Sequence, residues 1–537
     1  MQKNIYILIA LLLYGYIFSV MLNYENAWMH PEVAETAQKF FEEHKTTPDR
    51  FSQIFNWTLT EGSYQGRLCS RPRFVSHIFY ITNLIFRNGL FQYIPPHPSL
   101  SLTWIFALFL APYLLYKLLL NLTKDREVAV LASLAYLTLP GVLVPVMMLF
   151  HPAKALSSFF YILCLYLASR IQLKIEEKDL RRFKLDFFVL VMAVATAFFC
   201  DEYCLFIFIL IPIFFPRIFF GPAKVYVWGL YLWLPIIYYG MVVYGLPAIY
   251  AALGYPGFDI FAYLKLDRQA PRFFFDIFYA FVNFILLLHD NLMAGLNVFL
   301  KDNSQSLRIV EFLTVGNHVT NPENIRVGWD ILNSSDVPAV QAIHSVIVGA
   351  ALILFLPAAK KVWADSKERQ ALGYLFKAVV CLMLFAVFFT VLHVTTNVFS
   401  GCGWYGSSFS GLFAIFIGIF FAILKKGMPY GKIIILVFTA SLCVNTLWNT
   451  RLVNFAWFAM HYRGTYWELD IWFNKITRHE IYQKHYRPQA EKNFELTYRA
   501  WRHRYNPPVA QHFLEQAPLD VKFYLRAELP YVKTEGL

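Results

Sequence analysis

The sequence predicts an all-α polytopic membrane protein that crosses the bilayer about eleven times. Three observations carry that expectation. Of its 537 residues 58% are hydrophobic and only 15% are charged, whereas soluble domains carry about 25% charged residues. The apolar residues gather into runs of about 20, the helix length that ~30 Å of hydrocarbon demands. Lys and Arg collect in the short segments between those runs, the pattern that orients membrane helices.

The first run, 4–22, follows a single Lys3 and is not succeeded by a small-residue cleavage site, which predicts an uncleaved first span. Further spans are expected at 101–122, 128–149, 153–171, 187–200, 203–219, 225–246, 340–356, 373–395, 405–424 and 431–448. With the N-terminus inside, the basic segments Lys124 to Arg126, Lys174 to Lys184, Arg217 to Lys224, Lys360 to Arg369 and Lys425 to Lys432 all fall on the cytoplasmic side. That holds only if 74–94 does not span. This stretch carries His77, Asn83, Arg87 and Asn88 and runs into Pro95-Pro96, so it is expected to lie in the interface as an amphipathic helix.

Residues 1–448 then form one transmembrane module with two external segments, 23–100 and 247–339. The Phe-rich stretch 273–288 in the second is expected to dip into the membrane or lie on it without crossing. Residues 449–537 are polar and aromatic without a span, and predict a small external, partly helical C-terminal region. The expected location is a bacterial inner membrane, with the active face and the C-terminus periplasmic.

The net charge of +12 is spread over short loops, so topology and attraction to anionic lipid account for it without nucleic acid. The seven cysteines show no metal-ligand spacing; Cys200 and Cys204 flank Asp201-Glu202-Tyr203 with no neighbouring His. No metal and no cofactor are expected.

The first external loop holds the residues best suited to chemistry. Tyr24-Glu25-Asn26-Ala27-Trp28-Met29-His30-Pro31-Glu32 stands at the end of the first span, an amphipathic helix runs from Val33 to His44, and Gly66-Arg67-Leu68-Cys69-Ser70-Arg71-Pro72-Arg73 follows. A carboxylate held at the membrane surface beside cations is what transfer from a phosphate-activated donor requires. The carboxylate takes the acceptor's proton, and the cations stabilise the departing phosphate. Spacing alone favours the plainer reading, ordinary juxtamembrane charges.

The layout resembles the GT-C superfamily of polyprenyl-phosphate-dependent glycosyltransferases, in the style of the lipid A aminoarabinose transferases and protein O-mannosyltransferases. The likeness covers about residues 1–220 by pattern and extends to 424 by topology. Glu25-Asn26-Ala27-Trp28 stands where those enzymes place an acidic pair after the first span. Ser70-Arg71-Pro72-Arg73-Phe74 stands where a Pro-containing segment leads into an interfacial helix. The stretch from Tyr116 to Arg126 and Thr138-Leu139-Pro140 also match.

Three places depart from the pattern. His151-Pro152-Ala153-Lys154 occupies an acidic position, Asp201-Glu202 replaces a frequent Lys, and Gly403-Trp404-Tyr405-Gly406-Ser407-Ser408 lacks an Arg-Tyr pair.

The resemblance implies an inverting transfer of a sugar from a polyprenyl phosphate to a glycan, lipid or protein acceptor on the external face. Glu25 would be the general base. Arg67, Arg71 and Arg73 would hold the phosphate, with His151 and Lys154 as substitutes on the same face. Asn26, His30 and Tyr405 would complete the substrate contacts. Lys154 reads equally as a snorkelling lysine. Asp201 and Glu202, at the external end of two short spans, read either as a second carboxylate site, by the rule that intramembrane acids are functional, or as an acidic pair lying in water at the interface. Two rival readings stay open. One is a catalytically inactive GT-C-like scaffold that binds protein partners through the C-terminal region. The other is a lipid or solute transporter, although the sequence shows neither inverted repeats nor broken helices.

Overall fold

The computed structural model describes residues 73–85, 102–139, 141–143, 152–177, 180–221, 224–252, 337–366, 368–396 and 406–461, with isolated positions within 11–15 and 277–292 and at 512. Among these residues the ordered elements are all helical. In chain order they are α1 (Phe74–Ile85), α2 (Leu102–Thr123), α3 (Arg126–Thr138), α4 (Pro152–Glu176), α5 (Leu180–Phe198), α6 (Ile207–Phe214), α7 (Pro216–Phe220), α8 (Lys224–Gly240, continued to Ala252), α9 (Val337–Ala364), α10 (Arg369–Thr396), α11 (Ser407–Gly427) and α12 (Gly431–His461).

Six described helices are long and apolar enough to cross a membrane: α2, α4, α8, α9, α10 and α11. They mark an integral membrane protein. α1 is helical from Phe74 to Ile85, within the stretch expected to lie in the interface; residues 86–94 lie outside the described residues. The run 203–219, expected as one span, is a 3-10 turn (Glu202–Phe206) followed by α6 and α7. Pro216 cannot continue the backbone ladder and opens a new helix after Phe215. The last helix continues through 448 to His461 without a break.

Turns follow local chemistry. Lys124 takes a left-handed conformation (φ 57°) and its N–H bonds the Leu120 carbonyl, ending α2. Asp125 then caps α3, its side chain accepting from the Glu127 and Val128 amides at 3.0 and 3.2 Å.

The basic segments meet at one end of the bundle. Lys425 pairs with Asp125 and Glu127, both at 2.8 Å, Lys432 with Glu127 at 2.6 Å, and Lys426 with Glu368. Arg217 pairs with Glu176 at 2.6 Å and Lys174 with Asp186 at 2.5 Å. Hydrogen bonds from Lys425 and Lys432 hold the Glu127 carboxyl below the usual carboxylate range. Helices leave this charged-loop end and return to it in alternation, as the charge pattern requires.

α11 is the centre of the bundle, with 89% of its apolar window buried against 11% for α8, a peripheral helix. It packs on α2, α3, α4, α9, α10 and α12. Two glycines permit this. A Cβ on Gly411 would lie 2.7 Å from the Ser158 carbonyl oxygen, and one on Gly427 would lie 2.5 Å from the Ala358 Cα. Ser158 Oγ uses the close approach to accept from the Gly411 amide at 3.0 Å. Small residues at membrane helix contacts let backbones come this near.

The Phe-rich stretch is helical at its described positions and inserts among the helices. Phe284 and Leu287 are buried, and Phe284 packs against Phe389 and Phe409 with ring centroids 5.4 and 5.0 Å away. Asn291 is fully buried, accepts from the Gly141 amide at 2.9 Å and donates to the Leu287 carbonyl. His344 of α9 bonds the Leu292 carbonyl at 3.0 Å and Ser441 at 2.9 Å. The described positions of the stretch therefore pack inside the bundle, toward the end opposite the charged loops, where α8 ends and α9 begins.

Candidate functional site

The end opposite the charged loops carries a buried cluster of opposite charges. Four of the expected site residues, Arg73, Lys154, Asp201 and Glu202, come together there from three separate stretches of chain. Arg73 precedes the first residue of α1, Lys154 lies in the first turn of α4, and Asp201 and Glu202 stand at the corner between α5 and α6.

The corner is built from its own sequence. α5 ends at Phe198, and Asp201 turns extended (φ −155°, ψ 145°) to cap the 3-10 turn, its carboxylate accepting from the Tyr203 amide at 3.3 Å. This fixes the Asp201 side chain inside the bundle, where it is fully buried. Lys154, only 2% exposed, meets it with Nζ 2.8 Å from Oδ2 and 3.1 Å from Oδ1. The ammonium also lies 4.2 Å from the centroid of the Tyr203 ring, a cation–π contact in a desolvated setting. Tyr161 Oη donates to the Tyr203 carbonyl at 2.5 Å, so the aromatic face that receives the lysine is itself held in place.

Glu202 takes the other cation. Arg73 Nε donates to Oε2 at 2.8 Å while Nη2 bonds Oε1, a two-pronged pair, and Nη2 lies 4.0 Å from Asp201 Oδ1. Two further contacts fasten α1 to the same corner: the Val75 amide donates to the Phe199 carbonyl at 2.9 Å, and the Phe74 and Phe199 rings stack at 5.9 Å.

The cluster sums to zero charge, with two cations and two carboxylates. It is graded in burial: the side chains of Lys154 and Asp201 are 3% and 0% exposed, those of Arg73 and Glu202 14% and 9%. A closed inner pair therefore underlies an outer pair that reaches the surface of this end. Such a site can hold an anion at the guanidinium and can supply a carboxylate for proton transfer. Among the described residues no group of His, Cys, Asp and Glu is arranged to hold a metal ion.

Glu25, Asn26, His30, Arg67, Arg71, His151 and Tyr405 lie outside the described residues. The sequence grouped Arg73 with Arg67 and Arg71 toward Glu25; among the described residues Arg73 faces Glu202 and Asp201. Sequence reasoning missed Tyr203 and Tyr161. Tyr203 sits beside the acidic pair, and that adjacency was the one available signal for it. Nothing local marks Tyr161, which reads as one more aromatic residue in an apolar helix.

Compared with protein-family models, curated proteins and solved structures, the chain shows no significant match.

Proposed function

We propose that this protein is an integral membrane glycosyltransferase. It takes a sugar from a polyprenyl-phosphate donor and passes it, with inversion, to an acceptor at the bundle end that carries the Arg73–Lys154–Asp201–Glu202 cluster. The single observation that supports the reading most is that cluster. Cations and carboxylates meet there at one end of a membrane bundle, beside α1, the helix within the first external loop. Phosphate departure needs fixed positive charge, and attack by a hydroxyl needs a carboxylate to take its proton.

In this reading Glu25 is the base, delivered from the first loop onto the cluster. Arg73, with Arg67, Arg71 and His151, faces the phosphate, while Lys154 and Asp201 set the floor. Asn26, His30 and Tyr405 contact sugar or acceptor. The chain crosses eleven times in the GT-C manner, with the charged-loop end cytoplasmic and the cluster facing the periplasm.

The test is sugar transfer by the full chain in lipid nanodiscs, with a radiolabelled polyprenyl-phosphate sugar and a periplasmic acceptor fraction. Glu25→Gln is expected to lower turnover by at least about 100-fold, the scale of removing a general base. Turnover within a few-fold of wild type would remove Glu25 from the chemistry.

One observation favours a second reading, a scaffold subunit without catalysis: within the cluster the charges already neutralise one another. A scaffold predicts co-purification with a partner at fixed stoichiometry and no transfer activity in the wild-type chain.

A further inference from the structure

We propose that Glu202 is a resting-state stand-in for the phosphate: its carboxylate fills the Arg73 fork until the phosphate of the lipid-linked sugar donor, or of the polyprenyl phosphate that the transfer leaves behind, takes it. The inference rests on the phosphate-linked donor proposed above and concerns how that donor gains its seat.

Four observations lead there. Arg73 holds Glu202 through two guanidinium nitrogens, and the flat fork that fits a carboxylate edge fits two phosphate oxygens equally well. Of the two ion pairs in the cluster, this one is nearer the surface, with side-chain exposures of 14% and 9% against 3% and 0% for Lys154 and Asp201. An arriving anion can reach it without opening the inner pair.

The backbone that carries the fork is anchored apart from Glu202. α1 is pinned to the α5 corner by the Val75–Phe199 backbone hydrogen bond and the Phe74–Phe199 stack. The Arg73 backbone therefore keeps its place beside the corner when the carboxylate partner leaves. Finally, Asp201 Oδ1 lies 4.0 Å from Arg73 Nη2 and is itself held by Lys154. The carboxylate that borders the seat is thus already neutralised by its own cation and adds little repulsion to an arriving anion.

The exchange is a swap of partners with no bond made or broken. Phosphate oxygens replace Oε1 and Oε2 on the guanidinium, and the released Glu202 carboxylate turns to the solvent side or takes up a proton. A purely structural pair makes the opposite forecast. For it, weakening Glu202 can only disorder Arg73 and lower affinity.

The experiment measures binding of farnesyl phosphate to the full chain in nanodiscs, with farnesol and inorganic phosphate as parallel titrants. Glu202→Gln keeps the side-chain shape and removes the competing charge, so it is expected to bind farnesyl phosphate about tenfold more tightly than wild type. Arg73→Gln is expected to bind it at least about tenfold more weakly. If Glu202→Gln does not fold, Glu202→Asp carries the test, since a shorter carboxylate reaches the fork less well; it is expected to bind severalfold more tightly.

Equal or weaker binding by the folded Glu202 variants, with wild-type binding intact, overturns the exchange and leaves the donor reading standing. Farnesol binding as well as farnesyl phosphate overturns the phosphate seat. Inorganic phosphate binding as tightly as the lipid, with the same gain in Glu202→Gln, supports the exchange and overturns the lipid donor. No binding of farnesyl phosphate to any of the proteins overturns both.

Discussion

Lys154→Met is expected to cost about 3–5 kcal/mol of stability, the usual loss when one partner of a buried ion pair is removed. The reason is the state of what remains. Asp201 is fully buried, so its carboxylate cannot turn to water when the ammonium 2.8 Å away is gone. It is also tied to the backbone as the cap of the 3-10 turn, so moving it would unravel the corner that presents Glu202.

Removing the charge from both partners should restore much of the loss. In Lys154→Met combined with Asp201→Asn, the amide keeps the capping oxygen and no charge is stranded, so the double variant is expected to return to within about 1–2 kcal/mol of wild type. Unfolding of the purified chain in detergent, followed by tryptophan fluorescence, measures both. Lys154→Met with wild-type stability would mean that the inner pair is not buried as described.

Phe385→Ala is expected to be the second large effect, about 3 kcal/mol. Phe385 is fully buried in α10, and its ring stands 5.0 Å from Phe206, 5.9 Å from Phe284, 6.0 Å from Phe409 and 6.2 Å from Tyr203. It therefore joins the acidic corner to the inserted Phe-rich stretch and to the central helix. In lipid the transfer of a ring out of water contributes little, because the surroundings are apolar in either case. The cost comes from lost dispersion contacts around a cavity that the neighbours cannot close. Phe376→Ala, on the same helix but 70% exposed, removes the same ring from a lipid-facing position and is expected to change stability by less than about 0.5 kcal/mol. Equal losses in the two variants would contradict the packing role given to Phe385. Faster amide exchange over 277–292 in Phe385→Ala alone would identify the element it supports.

The helical architecture was legible because hydropathy and charge report on the same constraint. An apolar run must bury its backbone hydrogen bonds in helices, and its flanking lysines must stay on one side. The basic segments from Lys124 to Lys432 accordingly converge through pairs such as Lys425–Asp125, separated by 300 positions. Helix interruptions were less legible. Pro216 divides 203–219 into two helices, and a hydropathy window averages over that break.

At the site, Arg73, Lys154, Asp201 and Glu202 could each be named because charges at span ends are conspicuous. Their pairing could not be read from spacing. Residues 73, 154 and 201 are brought together only by the alternation of helices, and which cation takes which carboxylate depends on where Asp201 caps its turn. Asn291 and His344 went unmarked for the converse reason: a single polar residue in an apolar run gives no sign of the partner it will meet.

The most direct test of the account is a density map of the full chain in nanodiscs with a polyprenyl phosphate bound. The account predicts phosphate density within hydrogen-bonding distance of Arg73, the Glu25 carboxylate facing it from the first loop, and the lipid tail running from that point into the bilayer. A phosphate seated elsewhere, with Arg73 still forked onto Glu202 and Glu25 directed into bulk solvent, would contradict it.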